Sequence, residues 1–189
     1  MEQTELLIQR VTDFSGIEQF ECGITQMDNF LHEHLEDCSK SHYCTTYFVR
    51  FEQDGDIVAL FSLSNDSVDI DSDDFEDMRI GASGTDLPLV DELFREQFEQ
   101  KYTYPALKIT YLAVSKKYQS MKIGSAIIDI IANMAREQKL SGCVFLTVKA
   151  LVTKEYSALS FYEKNQFARL TSTPQFDVWP MYRTLWPCE

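Results

Sequence analysis

Two kinds of hydrophobic spacing divide the chain. In "GITQMDNFLHEHLEDC" (residues 23–38), Ile24, Met27, Phe30, Leu31 and Leu35 recur every three or four residues on one helical face, so a helix starts near Thr25. "TTYFVRFEQDGDIVALFSLS" (45–64) instead gives two β-rich runs about Asp54-Gly55, a hairpin signal. "DIDSDDFEDMRIGASGTDLP" (69–88) is acidic, then rich in glycine and serine, and reads as an exposed connection. Helical spacing returns in "LPLVDELFREQFEQKY" (87–102). "ALKITYLAV" (106–114) is apolar enough for a strand buried on both faces, and an amphipathic helix is predicted over 124–138. "GCVFLTVKAL" (142–151) reads as a second buried strand and "SALSFYEKNQF" (157–167) as a short helix, while "ARLTS" and "MYRTLW" close the chain as strands.

Strand, helix, strand, helix in the second half predicts a parallel pair joined by a crossover; the hairpin adds antiparallel strands. The expectation is therefore an α/β (mixed α+β) chain with a mixed sheet flanked by helices. Residues 1–189 show no linker, repeat or low-complexity stretch, and read as a single domain.

Charge narrows the partners. With 30 Asp and Glu against 17 Lys and Arg the net charge is −13. Such a surface repels phosphate backbones and favours cationic partners, although acidity also serves plain solubility. No apolar run is long enough to span a bilayer, and "MEQTELLIQR" lacks the features of a secretion signal. The five scattered cysteines read as reduced thiols. A cytoplasmic chain without membrane association is expected. Asp69, Asp71 and Asp73 suggest a calcium loop, but Asp74 stands where that loop needs glycine and Ile80 where it needs glutamate, so the reading fails.

The densest chemistry lies in "YQSMKIGSAII" (118–128), a polar turn between a buried strand and a helix. There the first N–H groups of the helix, its dipole and the donors Gln119, Ser120, Lys122 and Ser125 converge, and Gly124 admits close approach of a phosphate. A plain strand–helix connection accounts for the same residues equally well, and neither the Walker nor the Rossmann glycine pattern is present. "LAVSKKYQSMKIGSAII", followed by "SALSFYEKNQF", resembles the GNAT superfamily of acetyl-CoA-dependent N-acetyltransferases over residues 108–168. That family's Q/R-x-x-G-x-G/A loop corresponds to Gln119–Gly124, with Lys122 in place of the first glycine. Its A-x-x-F-Y-x-K-x-G-F helix corresponds to Ala158, Phe161, Tyr162, Glu163, Lys164 and Phe167, with Gln166 in place of glycine. "FECGITQMDNFLHEHL" and "FSLSNDSV" are similar to the GNAT branch that includes toxins acetylating aminoacyl-tRNA.

The resemblance implies a mostly antiparallel sheet with a splayed central parallel pair. It also implies acetyl-CoA as co-substrate, pantetheine along Leu112, Ala113 and Val114, and pyrophosphate on Gln119, Ser120, Lys122, Ile123, Gly124 and Ser125. Tyr162 then protonates the departing thiolate, a sulfur with a pKa near 8.5 facing a phenol near 10. Without the resemblance Tyr162 is a packing residue. Glu155 is the candidate for taking the amine proton, with Asp28 or a water as alternatives; each carboxylate also reads as a solvated surface group. The expected acceptor is a small-molecule or peptide amine. Nucleic acid is disfavoured by charge, tRNA stays open, and a homodimer is left open. A non-catalytic CoA-binding module is the alternative suggested by Lys122 and Gln166. His34, Cys38 and His42 share a face only if one helix runs through all three, and without the usual paired ligand spacings no metal is expected.

Overall fold

The computed structural model describes residues 6–52, 55–171 and 173–185. Seven strands form one sheet in the order β1-β2-β3-β4-β5-β7-β6. They are β1 (Leu6–Arg10), β2 (Thr45–Phe51), β3 (Ile57–Asp69), β4 (Thr103–Val114), β5 (Phe145–Leu151), β6 (Ala168–Arg169) and β7 (Val178–Thr184). The helices are α1 (Thr25–Glu33), α2 (Leu35–Lys40), α3 (Ser72–Arg79), α4 (Glu92–Glu99), α5 (Ile123–Glu137) and α6 (Leu159–Lys164). The sheet is mostly antiparallel, and β4 and β5, joined by α5, are its parallel pair. The expected mixed sheet is thus observed. Asp54 of the hairpin turn, Ser172 of "ARLTS" and Trp186 of "MYRTLW" lie outside the described residues.

The residues group into two compact units, Met1–Ser64 with Ile109–Ile128, and Asn65–Lys108 with Asp129–Glu189. In the first, β1 pairs antiparallel with β2 (Leu6↔Phe51 to Arg10↔Tyr47) and β2 with β3, with a register shift at Val49/Arg50. β1 is a five-residue edge element whose sequence, LLIQR, has too little alternation to predict a strand. Leu31 and Leu35 are fully buried with Phe14, Phe20, Phe48 and Leu60, and the rings of Phe14 and Phe48 meet edge-on at 6.0 Å. Thr46 and Ser62, buried on facing strands, satisfy each other at 2.9 Å. The helix expected from Thr25 begins there but stops at Glu33; His34 (φ −129°) interrupts it before α2.

In the second unit aromatic rings meet at right angles. Tyr104 lies 5.6 Å from Phe75 and 5.8 Å from Phe145, and Phe145 lies 5.8 Å from Tyr182. Such edge-on pairs add to area burial. The Tyr104 hydroxyl donates to the Lys101 carbonyl at 2.8 Å, so its burial leaves no orphan.

One expectation fails here. The acidic segment read as a connection from Asp69 instead contains α3, Ser72–Arg79, with Asp69 ending β3. Asp71 accepts from the N–H groups of Asp73 (2.9 Å) and Asp74 (3.0 Å), and Asp74 accepts from Asp71 N–H (3.0 Å), a complete capping box. Phe75 and Met78 pin the helix to the core. The run of aspartates reads as a helix start, with negative charge placed where the macrodipole favours it. Asp71→Ala should cost about 1 kcal/mol and lower Tm, while Asp73→Ala should stay within about 0.5 kcal/mol. Urea or thermal unfolding of the two variants checks this, and equal effects would remove the cap from the account.

Candidate active site

β4 brings Leu112, Ala113 and Val114 to the head of the turn, with Ala113 buried and its neighbours half-buried. Two backbone bonds fix the exit, from Ser115 N–H to the Val58 carbonyl (2.9 Å) and from Lys116 N–H to the Glu21 carbonyl (2.8 Å). A 3₁₀ turn over Lys116–Tyr118 follows, with Tyr118 buried edge-on against Phe51 at 5.2 Å. The Gln119 side-chain amide then donates to the carbonyls of Cys22 (2.7 Å) and Val114 (3.1 Å). Its donors are spent on holding the chain.

Ser120 (φ 66°) and Lys122 (φ 61°) are left-handed. Such conformations cost an L-residue roughly 1–2 kcal/mol and curl successive N–H groups toward one side, the geometry of an anion nest. The helical ladder of α5 begins with Ala126 N–H on the Lys122 carbonyl at 3.1 Å, so the N–H groups of Ile123, Gly124 and Ser125 lie ahead of it. Gly124 is buried at the second helical position. No carboxylate stands in this first turn. The donor set, the dipole and the missing acids suit an oxyanion such as a pyrophosphate.

Tyr162 and Glu155 belong to the second unit. Tyr162, on α6, is buried between the rings of Phe161 (5.0 Å) and Phe167 (5.3 Å). Burial pushes its phenol well above the ordinary tyrosine value, so it carries its proton throughout the neutral range. The chain leaves α6 through Gln166 (φ 66°), and Phe167 N–H returns to the Tyr162 carbonyl at 3.1 Å. Glu155 is exposed on the turn after β5, where its N–H donates to Thr153 Oγ1 at 3.3 Å.

Asp28 is otherwise engaged. Its two oxygens accept from the N–H groups of Cys22 (2.7 Å) and Gly23 (3.1 Å) ahead of α1. Burial first, and this carboxylate second, push the Cys22 thiol up to about 12, so it is no nucleophile at neutral pH. His34, Cys38 and His42 do not share a helical face, because α1 ends before His34 and His42 (φ 58°) lies past α2. Among the described residues no group of three or more His, Cys, Asp or Glu is placed to hold a metal ion.

Lys122 and Gln166 stand where the family pattern has glycine, and both adopt the glycine conformation. Sequence alone does not disclose this, because side-chain type masks backbone geometry. The family-model comparison agrees: residues 92–169 match the acetyltransferase (GNAT) domain. Over residues 92–169 the chain carries a GNAT acetyltransferase domain. The matched region is accordingly an acyltransferase domain. No curated protein matches this chain. Among solved structures the GNAT chain is similar to a bacterial toxin (TM-score 0.69, 18% identity, covering 96% of this chain and 92% of that one). It is also similar to AtaT complexed with acetyl-methionyl-tRNAfMet (TM-score 0.66, 17% identity, 93% and 94% covered). A third is a KacT mutant (TM-score 0.65, 17% identity, 96% and 95% covered). At these identities the likeness establishes the GNAT fold.

Glycine at either left-handed position removes a strained Cβ at the cost of a floppier unfolded chain. Lys122→Gly and Gln166→Gly should each gain about 0.5–1 kcal/mol, a rise in Tm of a few degrees. Valine at the same positions should lower Tm. A drop in Tm with glycine would mean the strain is absent.

Proposed function

We propose that this single GNAT domain, acting in the cytoplasm, moves the acetyl group of acetyl-CoA to a primary amine by direct attack within a ternary complex. The observation that carries the reading is the turn at 119–125, where two non-glycine residues hold the glycine conformation ahead of an acid-free helix start. Acetyl-CoA supplies an activated acyl group as a thioester. The N–H groups of Ile123, Gly124 and Ser125, with Ser120 and Lys122, hold the pyrophosphate, and Gln119 shapes the turn that presents them. The backbone of Leu112, Ala113 and Val114 offers strand-like pairing to the pantetheine amides, and one N–H there polarises the thioester carbonyl. Tyr162, which burial keeps protonated at neutral pH, donates its proton to the sulfur as the carbon–sulfur bond breaks. Glu155, exposed to solvent, receives the proton that the attacking amine loses.

A second reading is acetylation of the amino group of an aminoacyl-tRNA. Its support is the whole-length likeness to toxins, one of them complexed with an acetylated tRNA. Net charge −13 weighs against it. Acetylation of a charged tRNA at physiological salt, faster than any small amine, would decide for it. The non-catalytic module loses its motive, since Lys122 and Gln166 keep the backbone that glycine would give.

Saturating CoA should stabilise the wild type by about 2.7 kcal/mol at a hundred times Kd, visible as a rise in Tm. Gly124→Glu, which adds bulk and charge at the helix start, should abolish that rise. An equal shift in both proteins would place the phosphates elsewhere. Tyr162→Phe keeps the ring and its packing, so stability and CoA affinity should hold while kcat falls roughly a hundredfold. Near-normal kcat in a folded variant would remove Tyr162 from the mechanism.

A further inference from the structure

Four carboxylates are half-buried among the described residues: Asp28, Asp66, Asp74 and Glu99. Three have evident structural work. Asp28 accepts two N–H groups, Asp74 closes the α3 capping box, and Glu99 pairs with Arg79 at 2.9 Å. Asp66, on β3, differs. Among the described residues it forms no ion pair, and the hydrogen bond to its side chain comes from Thr147 Oγ1 to Asp66 Oδ2 at 2.5 Å. Thr147 is buried on β5, with Tyr182 directly opposite on β7. Its β-branched side chain has little rotamer freedom, so the hydroxyl orients the carboxylate firmly. Oδ1 is left as an acceptor.

Partial burial without a counter-cation is costly for a carboxylate, and natural proteins usually pair such groups. A sheet-borne acid, oriented by a buried hydroxyl and with one oxygen open, has the form of a cation receptor. We propose that Asp66 binds a second, non-reacting ammonium group of the acceptor, so that the substrate class is a primary amine carrying a further cationic amino group, with Thr147 as the positioning residue. This rests on the acetyltransferase reading above. Asp66 accepts charge-assisted hydrogen bonds from the ammonium, while Thr147 keeps the carboxylate from rotating away. A neutral amine gains nothing from the site.

The test uses thiol release from acetyl-CoA by the full chain, with 1,4-diaminobutane and lysinamide as cationic acceptors and methoxyamine, uncharged at neutral pH, as the neutral one. Asp66→Asn should raise KM for the cationic acceptors roughly ten- to a hundredfold, the scale of one charged hydrogen bond, with a smaller change in kcat. KM for methoxyamine and the Tm rise given by CoA should be unchanged. Thr147→Val should raise KM for the cations by a smaller factor, and matching Tm values confirm that both variants fold. If Asp66→Asn leaves the cationic KM unaltered, or raises it equally for methoxyamine, the assignment falls while the acetyltransferase reading stands. The assignment also falls if the wild type uses methoxyamine but neither cation. Turnover of no nucleophile at all would sink both.

Discussion

Gln119 is the residue on which the turn depends. A left-handed lysine and a left-handed serine two residues apart do not hold themselves in place; each is strained, and persists because the surroundings over-determine the path. The Gln119 amide supplies that determination. One N–H reaches back to Val114 at the end of β4 and the other to Cys22, ninety-seven residues earlier in the chain. Cys22 is in turn held by Asp28 ahead of α1. Lys116 N–H on the Glu21 carbonyl ties the same two segments again. The N-terminal segment and α1 thus brace a turn built by the second half of the sequence. Without that brace the N–H groups ahead of α5 have no fixed direction, and pre-organised donors are what make a helix start an anion site.

Much of this was legible, and what was not has physical causes. The strands β4 and β5 and the helix between them are long, apolar and correctly spaced, so the parallel pair follows from pattern alone. β4, however, is half-buried over most of 106–114 rather than buried on both faces as expected. The α3 segment misled because aspartates at a cap look like solvated loop residues until Phe75 and Met78 are seen to anchor them. The break at His34 misled in the opposite sense, since helical spacing continues across it while the backbone does not. β6 spans two residues where a longer strand was expected. At the turn, residue types were readable but their assignments were not. Gln119 looks like a ligand donor in sequence, and its side chain is a brace. Asp66 carries no local signal, because its distinction is a bond to Thr147, eighty-one residues away.

The departures from glycine bear on whether the site is maintained or decaying. In a decaying site a non-glycine residue would let the loop relax to an ordinary conformation and gain about a kilocalorie per mole. Neither Lys122 nor Gln166 has relaxed. At Gln166 the left-handed cap lets Phe167 turn back onto the Tyr162 ring, and so sets how that tyrosine is enclosed.

At Lys122 the compensation is electrostatic. A chain of net charge −13 repels not only nucleic acid but any polyphosphate, CoA included. Long-range repulsion is screened beyond about 8 Å at physiological salt, so what an approaching phosphate meets at contact is set by the nearest side chains. Around the turn these are Lys116, Lys117 and Lys122. Lys117 is drawn toward Asp56 at 3.8 Å and lies 4.9 Å from the Tyr118 ring centroid, which tempers its charge. Lys122 stands one residue before α5, where the helix dipole already favours anions. Glycine there would give the same backbone with less strain and one positive charge fewer. In an otherwise acidic molecule that exchange weakens the proposed phosphate site while stabilising the fold, and the strained lysine is the side of the trade this sequence has taken.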